Sequence, residues 1–165
     1  DNFFSRLAAP LVAQDRKLVL DTSGAALKAA LEAGGIHIAK PSVGEFEAFV
    51  GRPLKTHAEV AEAARPLVDA GKAQMLAVTM GEDGAVLVHP GGVLTHPGIK
   101  AVAHSTTGAG DSFVGGLVHG LIAGESLEDA FLRAIAAGTA AVLHPGTELC
   151  RTQDVERLLG ELKAR

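Results

Sequence analysis

A chain of 165 residues, 47% hydrophobic and 21% charged, has the composition of one folded soluble domain. Its net charge of −4, with no Lys/Arg-rich run, excludes a nucleic-acid or anionic-membrane surface, and no apolar run reaches the roughly 18 residues of a membrane span. The single cysteine, Cys150, excludes an internal disulfide framework and fits a reducing, cytoplasmic compartment.

The chain opens at Asp1 rather than Met and is expected to be a fragment, with no signal peptide ahead of the domain. "FFSRLAAPLV" places Phe3, Phe4, Leu7 and Leu11 on one helical stripe. "KLVL" (17–20) predicts a short strand ending before Asp21, followed by a helix over "SGAALKAALEAG" that stops at Gly34 and Gly35. "IHIA" (36–39) is the next strand. Pro41 breaks it and opens a helix through "SVGEFEAFVG". "THAE" (56–59) is a capping box for a helix running to about Ala70. "QMLAVTM" (74–80) predicts a third, buried strand.

Two short strands flanking Pro90, Gly91 and Gly92 predict a hairpin. "IKAVAH" leads to a loop after His104. A helix from Gly110 carries Phe113, Val114, Leu117, Val118, Leu121 and Ile122 at helical spacing. Its glycines, Gly115, Gly116, Gly120 and Gly124, predict close backbone packing, because each costs about 1 kcal/mol against Ala. Ser126 with Asp129 starts another helix, and Thr152 is expected to cap the last one. Strands alternating with helices predict an α/β fold with a mostly parallel sheet. Ligands bind such sheets at the carboxyl ends of strands, which singles out the loops after Leu20, Ala39, Met80 and His104.

Those loops hold the unusual residues. In "TTGAGD" (106–111), Gly108 and Gly110 let backbone N–H groups crowd together at a helix N-terminus, which suits a phosphate. No Gly-Lys-Ser/Thr follows, so this is not a Walker A loop, and Phe113 breaks a dinucleotide fingerprint. Asp111 is either a stabilising first-turn acid or a base that takes a proton from an attacking hydroxyl. In "KPSVGEFE" (40–47), Lys40 and Ser42 sit where a strand hands over to a helix, and Glu45 and Glu47 are candidates for a hard metal. "TMGEDGA" (79–85) sets Gly81 and Gly84 in a tight loop that is either a turn or a nucleotide contact. The seven His residues lack zinc-site spacing, and no G-x-S-x-G elbow occurs.

Taken in order, "DTSG" (21–24), "KPSVGE" (40–45), "TMGEDGA", "TTGAGDSF" (106–113) and "AAGTAAVLHPGTELC" (136–150) resemble the PfkB (ribokinase-like) carbohydrate kinases. "KPS" and "GTELC" look closest to the 6-phosphofructokinase branch. The resemblance covers this whole chain and about the carboxyl-terminal half of a complete family member. It implies a three-layer α/β/α ribokinase-like fold and ATP-dependent phosphorylation of a phosphorylated ketohexose, with fructose 6-phosphate the leading substrate. Fructose 1-phosphate and tagatose 6-phosphate are the competitors.

The resemblance also implies roles. Asp111 matches the catalytic base, and Gly108, Ala109 and Gly110 match the anion hole for the migrating phosphoryl group. Glu45 matches the acid that helps hold Mg²⁺ through water. Lys40, Ser42, Thr79, Gly81 and Gly84 match positions lining the ATP site, with Ala103, Ile135 and Thr139 on its nucleotide side. Ser105, Thr107, Ala141, His144, Gly146 and Glu148 fall where relatives hold a monovalent cation, K⁺, often by backbone carbonyls. Three positions depart from the pattern. Ser42 stands where the family has Asn, and His144 and Glu148 stand where Asn and Arg are expected, the last reversing a charge.

In the family the other half of the protein carries the sugar-binding residues and a β-lid that often forms a homodimer. No Gly-Gly-x-x-x-Asn pattern precedes "DTSG", so residues 1–165 are expected to form the nucleotide half only and to be inactive alone. The missing strands would leave a sheet edge exposed. A non-catalytic nucleotide-binding domain of the same fold is the reading from a different class, kept open by Ser42 and Glu148. An acid beside the phosphate argues against it.

Overall fold

The computed structural model describes residues 6, 10–11, 13–14, 16–146 and 148–164. Phe3, Phe4 and Leu7 of the expected first helix lie outside the described residues. The chain divides into two compact units, Asp1–Met80 with Ala85–Thr95, and Gly81–Gly84 with His96–Arg165.

The first unit is built on a five-stranded sheet in the order β1 (Val19–Leu20), β2 (Ile36–Ala39), β3 (Ala73–Thr79), β4 (Ala85–His89), β5 (Gly92–His96). β1, β2 and β3 are parallel, and β3 pairs antiparallel with β4, so the sheet is mixed. β3 is buried along nearly its whole length, as a strand covered on both faces must be, whereas β5 alternates between half-buried and exposed residues. Helices α1 (Gly24–Ala33), α2 (Val43–Val50) and α3 (His57–Asp69) supply the packing partners. Leu27, Leu31, Phe46, Val60 and Val68 from these helices join Ile36, Leu76, Val78 and Val86 from the strands in one core. Phe46 is fully buried and stacks on Phe49 at 6.1 Å between ring centres.

Local chemistry fixes the helix ends. Thr56 Oγ1 accepts the Glu59 amide at 3.2 Å, and Glu59 Oε2 accepts the Thr56 amide at 3.0 Å, completing the expected capping box of α3. Bonds from the Lys55 and Thr56 amides hold the Glu59 carboxyl below its ordinary range. Arg65 on α3 donates to His89 O at 2.9 Å and Gly92 O at 2.7 Å, which pins the turn between β4 and β5.

The second unit is helical: α4 (Ala109–Ile122), α5 (Leu127–Val142) and α6 (Thr152–Lys163). Ser126 caps α5 as expected, accepting the Asp129 amide at 3.0 Å. α4 and α5 pack closely enough that a Cβ on Gly116 would stand 2.9 Å from both Arg133 O and Ala137 Cβ. A Cβ on Gly120 would meet Ala130 Cα at 2.8 Å. Phe113 meets Phe131 edge-on at 6.3 Å. The expected close packing therefore falls on Gly116 and Gly120, whereas Gly115 is exposed with nothing within 4 Å of its Cβ position. Arg133, with its side chain 13% exposed, bridges Glu125 before α5 and Glu156 on α6. Its bonds to Glu125 hold that carboxyl below its ordinary range.

Two expectations need correction. Residues 99–104 form no strand: Val102 is 78% exposed, and His104 N bonds to Val142 O at 2.8 Å, so this backbone meets a helix end and not a strand. Thr152 is the first residue of α6, not its cap. Arg151 occupies the cap position in extended geometry, without a side-chain bond. Among the described residues no helix is long and apolar enough to cross a membrane.

The glycine packing predicts opposite outcomes for neighbouring substitutions. Gly115→Ala is expected to stabilise the protein by up to about 1 kcal/mol in urea melts, because it gains helix propensity in open space. Gly116→Ala is expected to destabilise it by about 1–3 kcal/mol, because the added methyl must displace the backbone of α5.

Candidate active site

Residues singled out by the sequence gather in each unit separately. In the first unit, Leu20 and Ala39 are register partners in the parallel pair β1–β2. The next residues, Asp21 and Lys40, therefore emerge side by side at the carboxyl ends of the strands. Lys40 N continues the ladder to Leu20 O at 3.0 Å, and Lys40 Nζ lies 3.1 Å from Asp21 Oδ2. The Lys40 side chain is 7% exposed and that of Asp21 32%.

Ser42 and Thr79 form an isolated parallel bridge beside them, with Thr79 N bonded to Pro41 O at 3.1 Å. Parallel register thus brings Lys40, Ser42 and Thr79 together. Asp21 is the member the sequence did not single out. Its signal was available, since it follows one apolar strand as Lys40 follows the next.

Ser42 has a second task. It is the cap of α2: its Oγ accepts the Glu45 amide at 3.4 Å, and Glu45 Oε2 accepts the Ser42 amide at 2.7 Å. Glu47 Oε1 accepts the Leu54 amide at 2.7 Å, tying down the loop after α2. The two acids are therefore not a pair of free carboxylates. Glu47 serves the fold, and Glu45 Oε1 has no hydrogen-bond partner among the described residues. Among the described residues no group of three or more His, Cys, Asp and Glu side chains could grip a metal ion directly. Glu45 fits a metal held through water, since one of its oxygens is committed to the backbone.

In the second unit Gly81 opens a single 3₁₀ turn, Gly81–Asp83, closed by Gly84 N bonding to Gly81 O at 3.1 Å. Gly84 has φ +87°. A Cβ there would collide with His96 O and with Gly98 N at 2.3 Å. Gly84 is thus needed for close backbone packing against residues 96–98.

Gly108 is the cap of α4, with φ +81°, and gives no side-chain cap. That left-handed backbone turns the chain sharply into the helix, at a position where a side chain would be strained. Ala109, Gly110 and Asp111 follow as the first three helical residues. The first amides of a helix have no intrahelical partner, and here only Ala109 N finds one, Thr106 O at 3.4 Å. The Gly110 and Asp111 amides are left for a ligand, at the positive end of the helix dipole. Asp111 is exposed and, among the described residues, has no ion-pair partner.

The remaining positions lie near the carboxyl end of α5. The bond from His104 N to Val142 O draws the 104–107 loop beside that end, and Ser105 Oγ accepts the Thr107 amide at 3.2 Å. Ala141 is buried, Gly146 has φ +70°, and Ala103 is exposed. His144 Nε2 lies 3.0 Å from Asp154 Oδ2 on α6, a bond that holds the Asp154 carboxyl below its ordinary range. Glu148 pairs with Arg151 at 3.0 Å. Thr139 is half-buried, whereas Ile135 is only 5% exposed and belongs to the helix core.

The sequence profile described as "pfkB family carbohydrate kinase" matches residues 7–154. The chain is 37% identical over 149 residues to the ATP-dependent 6-phosphofructokinase isozyme 2 of Escherichia coli, covering 90% of this chain and 48% of that protein. It is 40% identical over 147 residues to the 1-phosphofructokinase of Rhodobacter capsulatus, covering 88% of this chain and 46% of that protein. The chain thus spans about half the length of the curated relatives it matches.

The crystal structure of E. coli phosphofructokinase-2 in complex with potassium superposes with a TM-score of 0.91 at 35% identity, over 97% of this chain and 52% of that one. A structure of the tetrameric inhibited form of the same enzyme gives 0.88 at 34% identity, over 97% of this chain and 51% of that one. The ribokinase of Arabidopsis thaliana shares the fold, with a TM-score of 0.81 at 24% identity over 95% of this chain and 52% of that one. The α/β fold expected from the sequence is the fold of these ribokinase-like kinases.

The cap of α2 gives a direct check on Ser42. Ser42→Ala is expected to cost about 1 kcal/mol in thermal or urea melts, because the Glu45 amide loses its acceptor. Ser42→Asn, which keeps an acceptor oxygen, is expected to melt within about 0.5 kcal/mol of the native protein.

Proposed function

The chain belongs to the pfkB family of carbohydrate kinases, and from that premise we propose that it forms the nucleotide-binding half of an ATP-dependent kinase for a phosphorylated ketohexose, with fructose 6-phosphate as the substrate. The carrying observation is Asp111, an exposed carboxylate directly after amides that no side chain caps. A negative charge beside an anion site is unfavourable for binding alone. It is useful where a proton must leave an attacking hydroxyl. In this reading Asp111 takes that proton, and the expected anion hole of Gly108, Ala109 and Gly110 stabilises charge on the migrating phosphoryl group, with Gly110 N lacking a backbone partner among the described residues and Ala109 N holding only a long bond to Thr106 O.

Lys40, Ser42 and Thr79, gathered by the parallel strands, face the ATP phosphates, and Gly81 and Gly84 shape the turn that follows β3 in the chain. Glu45 would hold Mg²⁺ through water, with Oε1 as the oxygen not committed to the Ser42 amide. Mg²⁺, when bound, neutralises charge on the phosphates. Backbone carbonyls at Ser105, Thr107, Ala141, His144, Gly146 and Glu148 would hold a K⁺ ion. Fructose 1-phosphate is the second substrate reading, and the relatives named 1-phosphofructokinase favour it.

A coupled ADP-release assay on the full-length protein tests both, with fructose 6-phosphate, fructose 1-phosphate or tagatose 6-phosphate, Mg²⁺, and with or without K⁺. Turnover with one sugar is expected, and Asp111→Asn is expected to lower kcat by about 10²–10⁴-fold. ATP binding without turnover on any of the three would favour the non-catalytic reading.

A further inference from the structure

Lys40 is the one charged residue among the described residues that is buried, at 6% exposure. An ammonium out of water is costly unless it is paired, and its partner in the structure is Asp21, 3.1 Å away. Stability alone is a poor explanation for such a pair, because apolar side chains of similar volume commonly serve a buried position as well or better. The place of the pair is more informative. Asp21 and Lys40 directly follow the register partners Leu20 and Ala39, at the carboxyl ends of two parallel strands, where α/β sheets bind ligands.

We propose that Asp21 is a positioning residue for nucleotide binding, holding the Lys40 ammonium at the carboxyl ends of β1 and β2 where it meets the polyphosphate of a nucleotide. This rests on the reading that Lys40 faces the nucleotide phosphates. A lysine carries its charge on a flexible four-carbon stem, so an unrestrained Lys40 would lose rotamer freedom each time a phosphate bound. Asp21 removes that cost in advance. It occupies one ammonium donor and leaves the others for phosphate oxygens. The 32% exposure of the Asp21 side chain puts the pair at the solvent edge of the strands, open to a ligand.

The test is a double-mutant cycle on the full-length protein, reading the Kd for ADP by calorimetry in EDTA, so that no divalent cation takes part. The variants are Lys40→Met, Asp21→Ala and the two combined. Each single substitution is expected to weaken ADP binding by about tenfold, the scale of one charge-assisted hydrogen bond. The double variant is expected to bind no more weakly than Lys40→Met. A purely structural role for Asp21 would lower the melting temperature without that non-additivity.

If Lys40→Met binds ADP like the native protein, the placement of Lys40 at the phosphates fails and the inference falls with it. If Lys40→Met weakens binding but Asp21→Ala does not, or if the two losses multiply, Asp21 does not act through Lys40. The inference is then overturned while the reading of the site stands. Should Asp21→Ala not fold, Asp21→Ser carries the same cycle, since its side chain stays polar at the exposed strand end but is one atom shorter and supplies no charge to hold the ammonium.

Discussion

Parallel register is the constraint from which the first unit's candidate site follows. Strands β1 and β2 run in the same direction with Leu20 level with Ala39, so whatever follows each strand must leave at the same edge. Asp21 and Lys40 leave there together, and the Asp21 carboxylate compensates the Lys40 ammonium, which could not be buried alone. The bridge between Ser42 and Thr79 extends the same edge toward β3. None of these residues is close to the others in sequence beyond the Lys40–Ser42 step. Hydrogen bonding between strands brings them together, and a slip of one residue would send each side chain to the opposite face.

Helix ends are the second recurring device, and they are used in two contrasting ways. At α2 the Ser42–Glu45 box satisfies the amides internally, which makes the helix start rigid and leaves Glu45 one oxygen without a hydrogen-bond partner among the described residues. At α4 the cap is a glycine without a side chain, so the first amides have nothing of their own to bond. A capped end serves the fold. An uncapped end leaves its amides to water or to an anion. Asp111 gains its interest from standing at the uncapped kind of end.

Small residues set where Asp111 stands. Gly116 and Gly120 let α4 approach α5 within methyl-group distances, and Gly138 on α5 accepts Phe113 and the Ala109 carbonyl at its own bare face. The Arg133 bridge to Glu125 and Glu156 then links α5 with its preceding turn and with α6. The start of α4 is therefore backed by a packed helical body, the kind of support that a precisely aimed carboxylate requires.

The sequence by itself determined the local features. The apolar runs of β2 and β3, the capping box at Thr56, the stop at Gly34 and Gly35, and the Gly-Ala-Gly-Asp helix start all depend on neighbours within a few residues, and all are present where the pattern puts them. The motif order also carried the family, because each motif is local chemistry. Tertiary structure decided what depends on distant partners. Residues 99–104 have a strand-like composition but no strand to pair with, and their backbone bonds to the end of α5. Gly115 and Gly116 look alike in the chain, yet only one faces another helix. Asp21 reads only as the residue ending the first strand until parallel register sets it against Lys40, nineteen positions away in sequence but 3.1 Å away in space. Short-range hydrogen bonding and side-chain periodicity are written in the chain, whereas the pairing of the buried Lys40 charge with Asp21 exists only once the strands have chosen their register.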